Sequence, residues 1–499
     1  MYSAPSKVEA SMAPLALQQS EMGPKEAMQT CGRAMGRQEP PATGNGGPDH
    51  ISKLPDAILS SIISLLPTDD GARTQGLATR WRHLWRSAPL NLCDDDLHRR
   101  SGKDEADLIS RVLPAHRGPV RRICLGGRGW LSKFPDLDVW LGSPALDHLQ
   151  ELELWWVVTP TAMPPPTFRF SSSLRVLTLS AGASIFCGGE YVEFPSADVD
   201  RFHFPCLKQL TIQCITIAES SIQTLLSKCP VLESLVLSQN EGFHCLRINS
   251  PTLRSFGVSA DCEELMQTER LKQVIIEEAP LLERFVIRHP EDGLLVRISG
   301  APKLEFLGSL TSSITKLELG STIFVEMMAV NLTTVVRTMK TLVVRMSPPS
   351  IHDAINLLKC FPCLQNLYVV VFLDGKSRKV QHHDPRDYIE CLDVHLKKLV
   401  LINYRGIKRD VEFAKFFLMN SRVLRFMELA TRRQSCDAEY LSKQCNKLEL
   451  KNRASQDAKF AVSCYSYNND EMHISHIHDL SISDPFDESL CRCKTFQLL

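Results

Sequence analysis

Apolar residues recur along the middle of this chain in one unit, L-x-x-L-x-L read with conservative swaps. It stands at Leu149-Leu152-Leu154, Leu174-Leu177-Leu179, Leu207-Leu210-Ile212, Leu232-Leu235-Leu237 and Leu253-Phe256-Val258. It continues at Leu282-Phe285-Ile287, Ile314-Leu317-Leu319, Met339-Leu342-Val344, Leu364-Leu367-Val369, Leu396-Leu399-Leu401 and Leu424-Met427-Leu429, with a degenerate copy at Leu304-Leu307. Successive starts are 21 to 33 residues apart, the range of a stacked repeat whose return segment varies in length. The last two apolar positions alternate, as on a strand with one buried face. Between strands lie helical or irregular returns such as SSIQTLLSKCP (220–230) and SIHDAINLLKCFP (350–362). One unit cannot bury its apolar side alone, whereas stacked units share a continuous core. The pattern predicts an α/β fold, an irregular horseshoe-shaped solenoid over residues 93–394 with its first clear repeat near 149.

A helical period governs residues 49–92. Asp56 is placed as an N-cap after Pro55, and Pro67 ends the apolar run Ile58, Leu59, Ile62, Ile63, Leu65, Leu66. A second short helix follows Asp69–Asp70, and a third carries Trp81, Leu84 and Trp85 at i, i+3, i+4 and stops before Pro89. So short a segment cannot bury all this apolar surface internally, so part of the stripe is expected to dock onto something. The stretch ISKLPDAILSSIISLLPT, followed by Arg73-Thr74, Leu77 and RWRHLW, resembles a plant-type F-box. The resemblance implies a small all-helical domain that binds the Skp adaptor of an SCF ubiquitin ligase and, through it, cullin. The residues implied are Leu54, Pro55, Ile58, Ile62, Leu65, Leu77, Trp81, Leu84 and Trp85. Gly71-Ala72 and Gly76 stand where the family usually has Ala-Val and another Val. Helical Gly costs about 0.5–1 kcal/mol each against Ala, so the second helix is expected to order on docking.

Residues 395–433 read as more than another repeat. They are similar to the plant FBD module: L-K-x-L-V-L-I-x-x-x-G, an acidic residue, the helix DVEFAKFFLMNS, then V-L-x-x-M. Val411, Ala414, Phe417 and Leu418 form the helix's apolar stripe, expected to cover the open end of the solenoid in an α+β cap. F-box, leucine-rich repeats and FBD, in that order, make the architecture of the plant F-box/leucine-rich-repeat/FBD family. That resemblance implies a non-catalytic substrate receptor of an SCF-type ligase, bridging the adaptor and an unidentified protein substrate. The alternative is a repeat scaffold without substrate delivery. In each unit the residue between the last two apolar positions, and the one after, point away from the core. Trp155, Arg288, Arg345 and Tyr368 occupy such positions and are the expected substrate contacts, because Trp, Tyr and Arg most often anchor interfaces.

Composition narrows the classes. Lys+Arg and Asp+Glu both number 57 in 499 residues, so no global charge directs the chain to nucleic acid or membrane. The FBD-like segment carries ten Lys or Arg against Asp410, Glu412 and Glu428, read as a solvated face. The 17 cysteines follow no framework spacing and read as reduced thiols of a cytoplasmic or nuclear protein. Residues 1–48 read as a disordered leader and 434–499 as a partly disordered tail. His473, His476 and His478 near Cys491 and Cys493 match no metal-finger spacing and are read as part of that solvated tail, with no metal or cofactor expected. Gly375-Lys376-Ser377 lacks a phosphate loop's first Gly, since residue 370 is Val, and reads as a turn. No G-x-S-x-G, H-E-x-x-H or Cys/His nucleophile context is present, so no catalytic constellation is expected.

Overall fold

The computed structural model describes residues 7–9, 50–51, 53–97, 102–126, 137–156, 163, 165–181, 192–259, 271–290, 292–330, 335–372, 388–432, 438–464 and 474–486. Strand β1 (Lys7–Glu9) precedes helices α1 (Asp56–Ser64), α2 (Thr68–Arg73) and α3 (Thr79–Ser87). Next come β2 (Leu90–Cys93), α4 (Gly102–Ala115), β3 (Val120–Leu125), α5 (Leu137–Leu141), β4 (Glu151–Trp156) and β5 (Val176–Ala181). The centre holds β6 (Val192–Glu193), β7 (Gln209–Gln213), β8 (Ile215–Thr216), α6 (Glu219–Ser227), β9 (Ser234–Ser238), β10 (Cys245–Asn249), β11 (Ser255–Ser259) and β12 (Gln273–Glu278). Then follow β13 (Arg284–Arg288), β14 (Leu294–Ile298), β15 (Phe306–Leu310), β16 (Ile314–Leu319), β17 (Thr322–Val325), β18 (Met328–Ala329), β19 (Thr341–Met346), α7 (Ile351–Cys360) and β20 (Asn366–Val371). The last elements are β21 (Lys398–Ile402), α8 (Lys408–Asn420), β22 (Phe426–Thr431), α9 (Ala438–Leu448), β23 (Lys459–Cys464) and α10 (Ile474–His478).

The repeats stack as one parallel sheet, in the order β23-β22-β21-β20-β19-β15-β13-β11-β9-β7-β5-β4-β3-β2. The fourth letter of the unit sets the register. Leu177, Leu210, Leu235, Phe256, Phe285, Leu307, Leu342, Leu367, Leu399 and Met427 pair in unbroken succession across the strands. These side chains are at most 2 % exposed, and Phe256 stacks on Phe285 with ring centroids 5.2 Å apart. A one-residue slip would turn every one of them to the opposite face, which is why the stack keeps its register.

Two of the expected repeats exchange their standing. The degenerate Leu304-Leu307 unit is a full rung, β15, paired with β13 and β19. The better match, Ile314-Leu317-Leu319, is β16 in a second, six-stranded sheet of order β10-β12-β14-β16-β17-β18. Its alternation is the same, but its backbone partners are β14 and, through an antiparallel hairpin, β17. Local spacing states that a strand has one buried face; it does not state which sheet supplies the neighbour.

The solenoid is longer at both ends than its repeats predict. Strands β2 and β3 add two rungs ahead of Leu149. Beyond β22, Phe460 of β23 continues the ladder from Met427, so the FBD-like segment supplies β21, α8 and β22 as rungs of the sheet and is not its last layer. In that segment Phe413, Ala414, Phe417 and Leu418 are buried, and Val411 packs partly buried against the same core. Its charges are relieved by tertiary partners: Arg405 on the fully buried Asp410 at 2.9 Å, Lys415 on Glu449 at 2.6 Å and Arg422 on Asp393 at 3.2 Å. Within the leader, Lys7–Glu9 pairs antiparallel with β23; residues 1–6 and 10–49 lie outside the described residues, as do 373–387 with Gly375-Lys376-Ser377. Much of the tail is ordered structure, namely α9, β23 and α10. Cys464 is held in a disulfide, against the expectation of reduced thiols throughout.

Candidate functional site

Two apolar surfaces stand apart from the main core. The first is on the three helices at the N-terminal end. Pro55, not Asp56, is the residue that begins α1, with φ −59° and ψ 149°. Asp56 lies inside the first turn, and its carboxylate accepts from Arg80 Nε at 2.7 Å, while Arg80 Nη2 donates to the Leu54 carbonyl at 2.7 Å. Arg80 thus fixes how α3 crosses the start of α1.

Between those helices Leu59, Ile63, Trp81, Leu84 and Ala88 form a small buried core, with Leu54 and Trp85 packed at its edge. Four of the expected adaptor residues lie in this core or at its edge. Trp81 and Leu84 are 7 % and 5 % exposed and face inward, and Trp85 is half-buried. The physical reason is volume: an α1–α3 pair this short needs an indole to fill the space between its helices. Trp85 also seats against Gly71, where an added Cβ would lie 2.6 Å from Cζ3 of its ring. Gly71 is therefore space for an indole within the helix α2. On the other side Trp85 meets His116 edge-on at 5.8 Å, and Thr68 Oγ1 donates to the Asn91 carbonyl of β2 at 2.7 Å. The unit is thereby packed onto the first rung.

What remains outside is apolar. Ile58, Ile62 and Leu65, at i, i+4 and i+7 on the outer face of α1, are 48, 39 and 77 % exposed, and Leu77 is 68 % exposed. Pro55 is exposed beside them.

The second surface is the outward face of the main sheet. Its residues form a separate apolar cluster of Val236, Val286, Phe306, Val343, Tyr368, Val370, Val400 and Ile402. Of the expected substrate contacts, Arg345 and Tyr368 are close, since β19 and β20 pair Val343 with Tyr368 and Arg345 with Val370. Arg345 lays its guanidinium over Phe372 at 4.1 Å. Arg288, on β13, is one strand beyond β15, and Trp155, on β4, is separated from it by β5, β7, β9 and β11. At about 4.8 Å per strand, Trp155 is some 24 Å from Arg288 and outside any common patch. Tyr368 is only 2 % exposed, because the tail covers it.

Residues 474–486 lie across this face. Ile477 is fully buried over Gly257, where an added Cβ would come within 2.6 Å of its Cδ1. The His478 ring bridges Thr211 Oγ1 and Ser234 Oγ, each at 2.7 Å, and burial lowers its pKa to about 4. Arg284 donates to the carbonyls of His476 at 3.3 Å, Asp479 at 2.7 Å and Ile482. Burial pulls its pKa below the usual guanidinium value. Tyr368 donates its hydroxyl to Asp484 Oδ2 at 2.6 Å, and Phe486 stacks on Phe306. His476 is buried, its Nδ1 2.9 Å from the Pro485 carbonyl. His476 and His478 are thus packing groups in a docked segment, not a solvated tail, while His473, Cys491 and Cys493 lie outside the described residues. Arg284 left one trace in the sequence: it is the charged member of a row that reads Ser234, Ser255 on the neighbouring strands.

One further cluster was not anticipated. Ligand atoms of Cys93, Asp94 and Cys124 lie within 4.8 Å of one another where β2 meets β3. Asp94 accepts the Gly126 N–H, and the hydrogen bond with Cys93 together with burial hold the Cys124 thiol well above its ordinary value. No helix among the described residues is long and apolar enough to cross a membrane.

Comparison with known proteins gives these surfaces a context. A profile described as "FBD-associated F-box protein At5g56370, LRR repeats" matches residues 137–369, and an FBD profile matches 384–429. The F-box/FBD/LRR-repeat protein At3g52680 of Arabidopsis thaliana is 26 % identical over 84 % of this chain and 92 % of its own length. The FBD-associated F-box protein At5g60610 of the same plant is 32 % identical over 46 % of this chain and 58 % of its own. The putative F-box/FBD/LRR-repeat protein At5g44950 is 26 % identical over 77 % and 92 %. The chain thus carries matches to LRR repeats and to an FBD segment, and over most of its length it is similar to F-box/FBD/LRR-repeat proteins of Arabidopsis thaliana.

Proposed function

We propose that this protein is the substrate-recognition subunit of an SCF-type ubiquitin ligase. The F-box-like helices bind a Skp-type adaptor and, through it, cullin; the repeats hold a protein substrate on their outward strand face. The protein does no chemistry of its own. It raises the effective concentration of substrate beside the ubiquitin-charged enzyme. Such a role carries a cytoplasmic or nuclear location.

The observation that supports this reading best is the exposed stripe of Ile58, Ile62, Leu65 and Leu77. The three helices already have a complete core in Leu59, Ile63, Trp81 and Leu84. The stripe is therefore surplus to folding, and its exposed side chains gain only by meeting a partner. Docking such side chains into a matching apolar groove is the helix-in-groove mode of recognition. The test is reconstitution: the full chain and a plant Skp adaptor, co-expressed, are expected to co-migrate on gel filtration as a one-to-one complex. Separate elution of both proteins at micromolar concentration removes the ligase reading and leaves a repeat scaffold.

A further inference from the structure

The segment 474–486 is bound the way a peptide ligand is bound. It follows the last rung and reaches back over strands formed more than a hundred residues earlier. The described part of it pairs with no strand of the sheet. Its main chain is read by two side chains: Arg284 collects three of its carbonyls, and Gln209 Nε2 donates to the His478 carbonyl at 3.4 Å. Its side chains are read at intervals. Ile477 enters a hollow that exists because residue 257 is Gly, beside Val236. Seven residues on, Asp484 accepts from the Tyr368 hydroxyl and lies 3.8 Å from Lys398 Nζ. Two residues later Phe486 packs between Phe306 and Tyr368, at 6.1 and 5.3 Å between centroids. Side-chain donors for the backbone and spaced pockets for an aliphatic, an acid and an aromatic make up a recognition groove.

The face differs from a repeat core. The inward side of the same strands is an unbroken Leu/Phe ladder, whereas one outward row under α10 is Gln209, Ser234, Ser255 and Arg284, groups that water can satisfy if the segment leaves. Within the described part of the segment, the fully buried aliphatic side chain is Ile477, which joins the outward apolar cluster of the sheet.

We propose that the outward face from β7 to β21 is a peptide-binding groove and that residues 474–486 are its resident intramolecular ligand. The partner it takes in exchange is a protein segment of the same chemistry: a β-branched aliphatic residue, an acidic residue seven positions later, and an aromatic residue two positions after that. The inference rests on reading the strand face as the partner surface. Tethered within the chain, the resident acts at an effective concentration in the millimolar range, so a free segment of equal affinity is excluded until the resident is displaced.

The experiment is exchange on the intact, folded chain. A protease recognition sequence is inserted between Cys464 and Ile474, and the purified protein is cut under reducing conditions, because Cys464 is otherwise held in a disulfide. A fluorescent synthetic peptide of residues 474–486 is then titrated by anisotropy. It is expected to bind the cut protein saturably and the uncut protein at least tenfold more weakly. The same peptide carrying Asp484→Ala and Phe486→Ala is expected to bind at least tenfold more weakly than the native peptide. An uncut chain with Ile477→Ser and Phe486→Ala should bind the native peptide as the cut protein does, which removes dependence on the protease step. Retention of the original segment after cutting and dilution, with refusal of the labelled peptide, would show a permanent structural element and overturn the proposal. Equal binding to cut and uncut wild type would place the peptide elsewhere and overturn it as well. Adaptor co-migration measured on the same preparations separates this inference from the ligase reading, since neither result depends on the other.

Discussion

The two candidate surfaces are made of similar apolar residues and are in opposite states. On the N-terminal helices, Ile58, Ile62, Leu65 and Leu77 stand uncovered on a unit whose core is already complete. On the strand face, Val236, Val286, Phe306 and Tyr368 are as apolar, yet buried, because the chain lays its own C-terminal segment over them. One surface is an open plug and the other a filled socket. Apolar composition therefore shows where contact is favourable but not whether the contact is already made within the molecule.

The sharpest way to break the comparison is to exchange core for surface within the helical unit. Trp81→Ala removes a buried indole and is expected to destabilise residues 56–87 by about 3–5 kcal/mol. The readout is protease sensitivity of that unit, with loss of adaptor binding following only from loss of fold. The double variant Ile58→Asp, Leu65→Asp is expected to leave that stability unchanged while weakening adaptor affinity by about 2–4 kcal/mol, as for interface hot spots. Titration calorimetry with the adaptor checks it; an unaltered Kd would mean that the open stripe is not the docking face.

The glycines of the same unit sharpen the point. By helix propensity, alanine should improve both Gly71 and Gly76. The structure separates them, because a Cβ at Gly71 meets the Trp85 ring at 2.6 Å and one at Gly76 meets nothing within 4 Å. Gly71→Ala is expected to destabilise by about 1–3 kcal/mol through overpacking, and Gly76→Ala to be neutral or to stabilise by about 0.5–1 kcal/mol. Urea unfolding followed by Trp fluorescence distinguishes the signs.

The filled socket should respond to pH while the open stripe should not. Undocked His478 takes up a proton near pH 6.5, docked His478 only near pH 4. Docking is therefore fully favoured above pH 6.5 and progressively lost as pH falls toward 4. Its ring faces the hydroxyls of Thr211 and Ser234; the other titratable or charged groups of the docked segment and strands are His476, Asp479, Asp484, Arg284 and Lys398. Asp479 is held below the usual carboxylate range, chiefly by its hydrogen bond from Ser481, so it stays ionised across that window. Between pH 7 and pH 5 the segment is expected to loosen by roughly 1–2 kcal/mol, allowing for the part of the ring that solvent screens. Hydrogen exchange of residues 474–486, corrected for intrinsic rates, measures this, and His478→Asn should abolish the dependence.

Sequence alone determined which side chains share a face. The L-x-x-L-x-L alternation located ten rungs of the main sheet, and the stripe Ala414, Phe417, Leu418 named the buried side of α8, because both follow from the fixed periods of strand and helix. The apolar stripe Ile58, Ile62 and Leu65 along the first helix was legible for the same reason. Tertiary structure decided what lies against each face. It turned Trp81 and Leu84 inward while Ile58 and Leu65 stayed outside, a choice set by the volume between two helices that no helical period encodes. It sent Ile314-Leu317-Leu319 to the second sheet and made a rung of the weaker Leu304-Leu307, because backbone partners come from strands distant in sequence. It also brought Asp484 to Tyr368, 116 residues away, and His478 to Thr211, 267 residues away. Contacts at such separations leave no local period, because they are fixed by the stacking of all the rungs between.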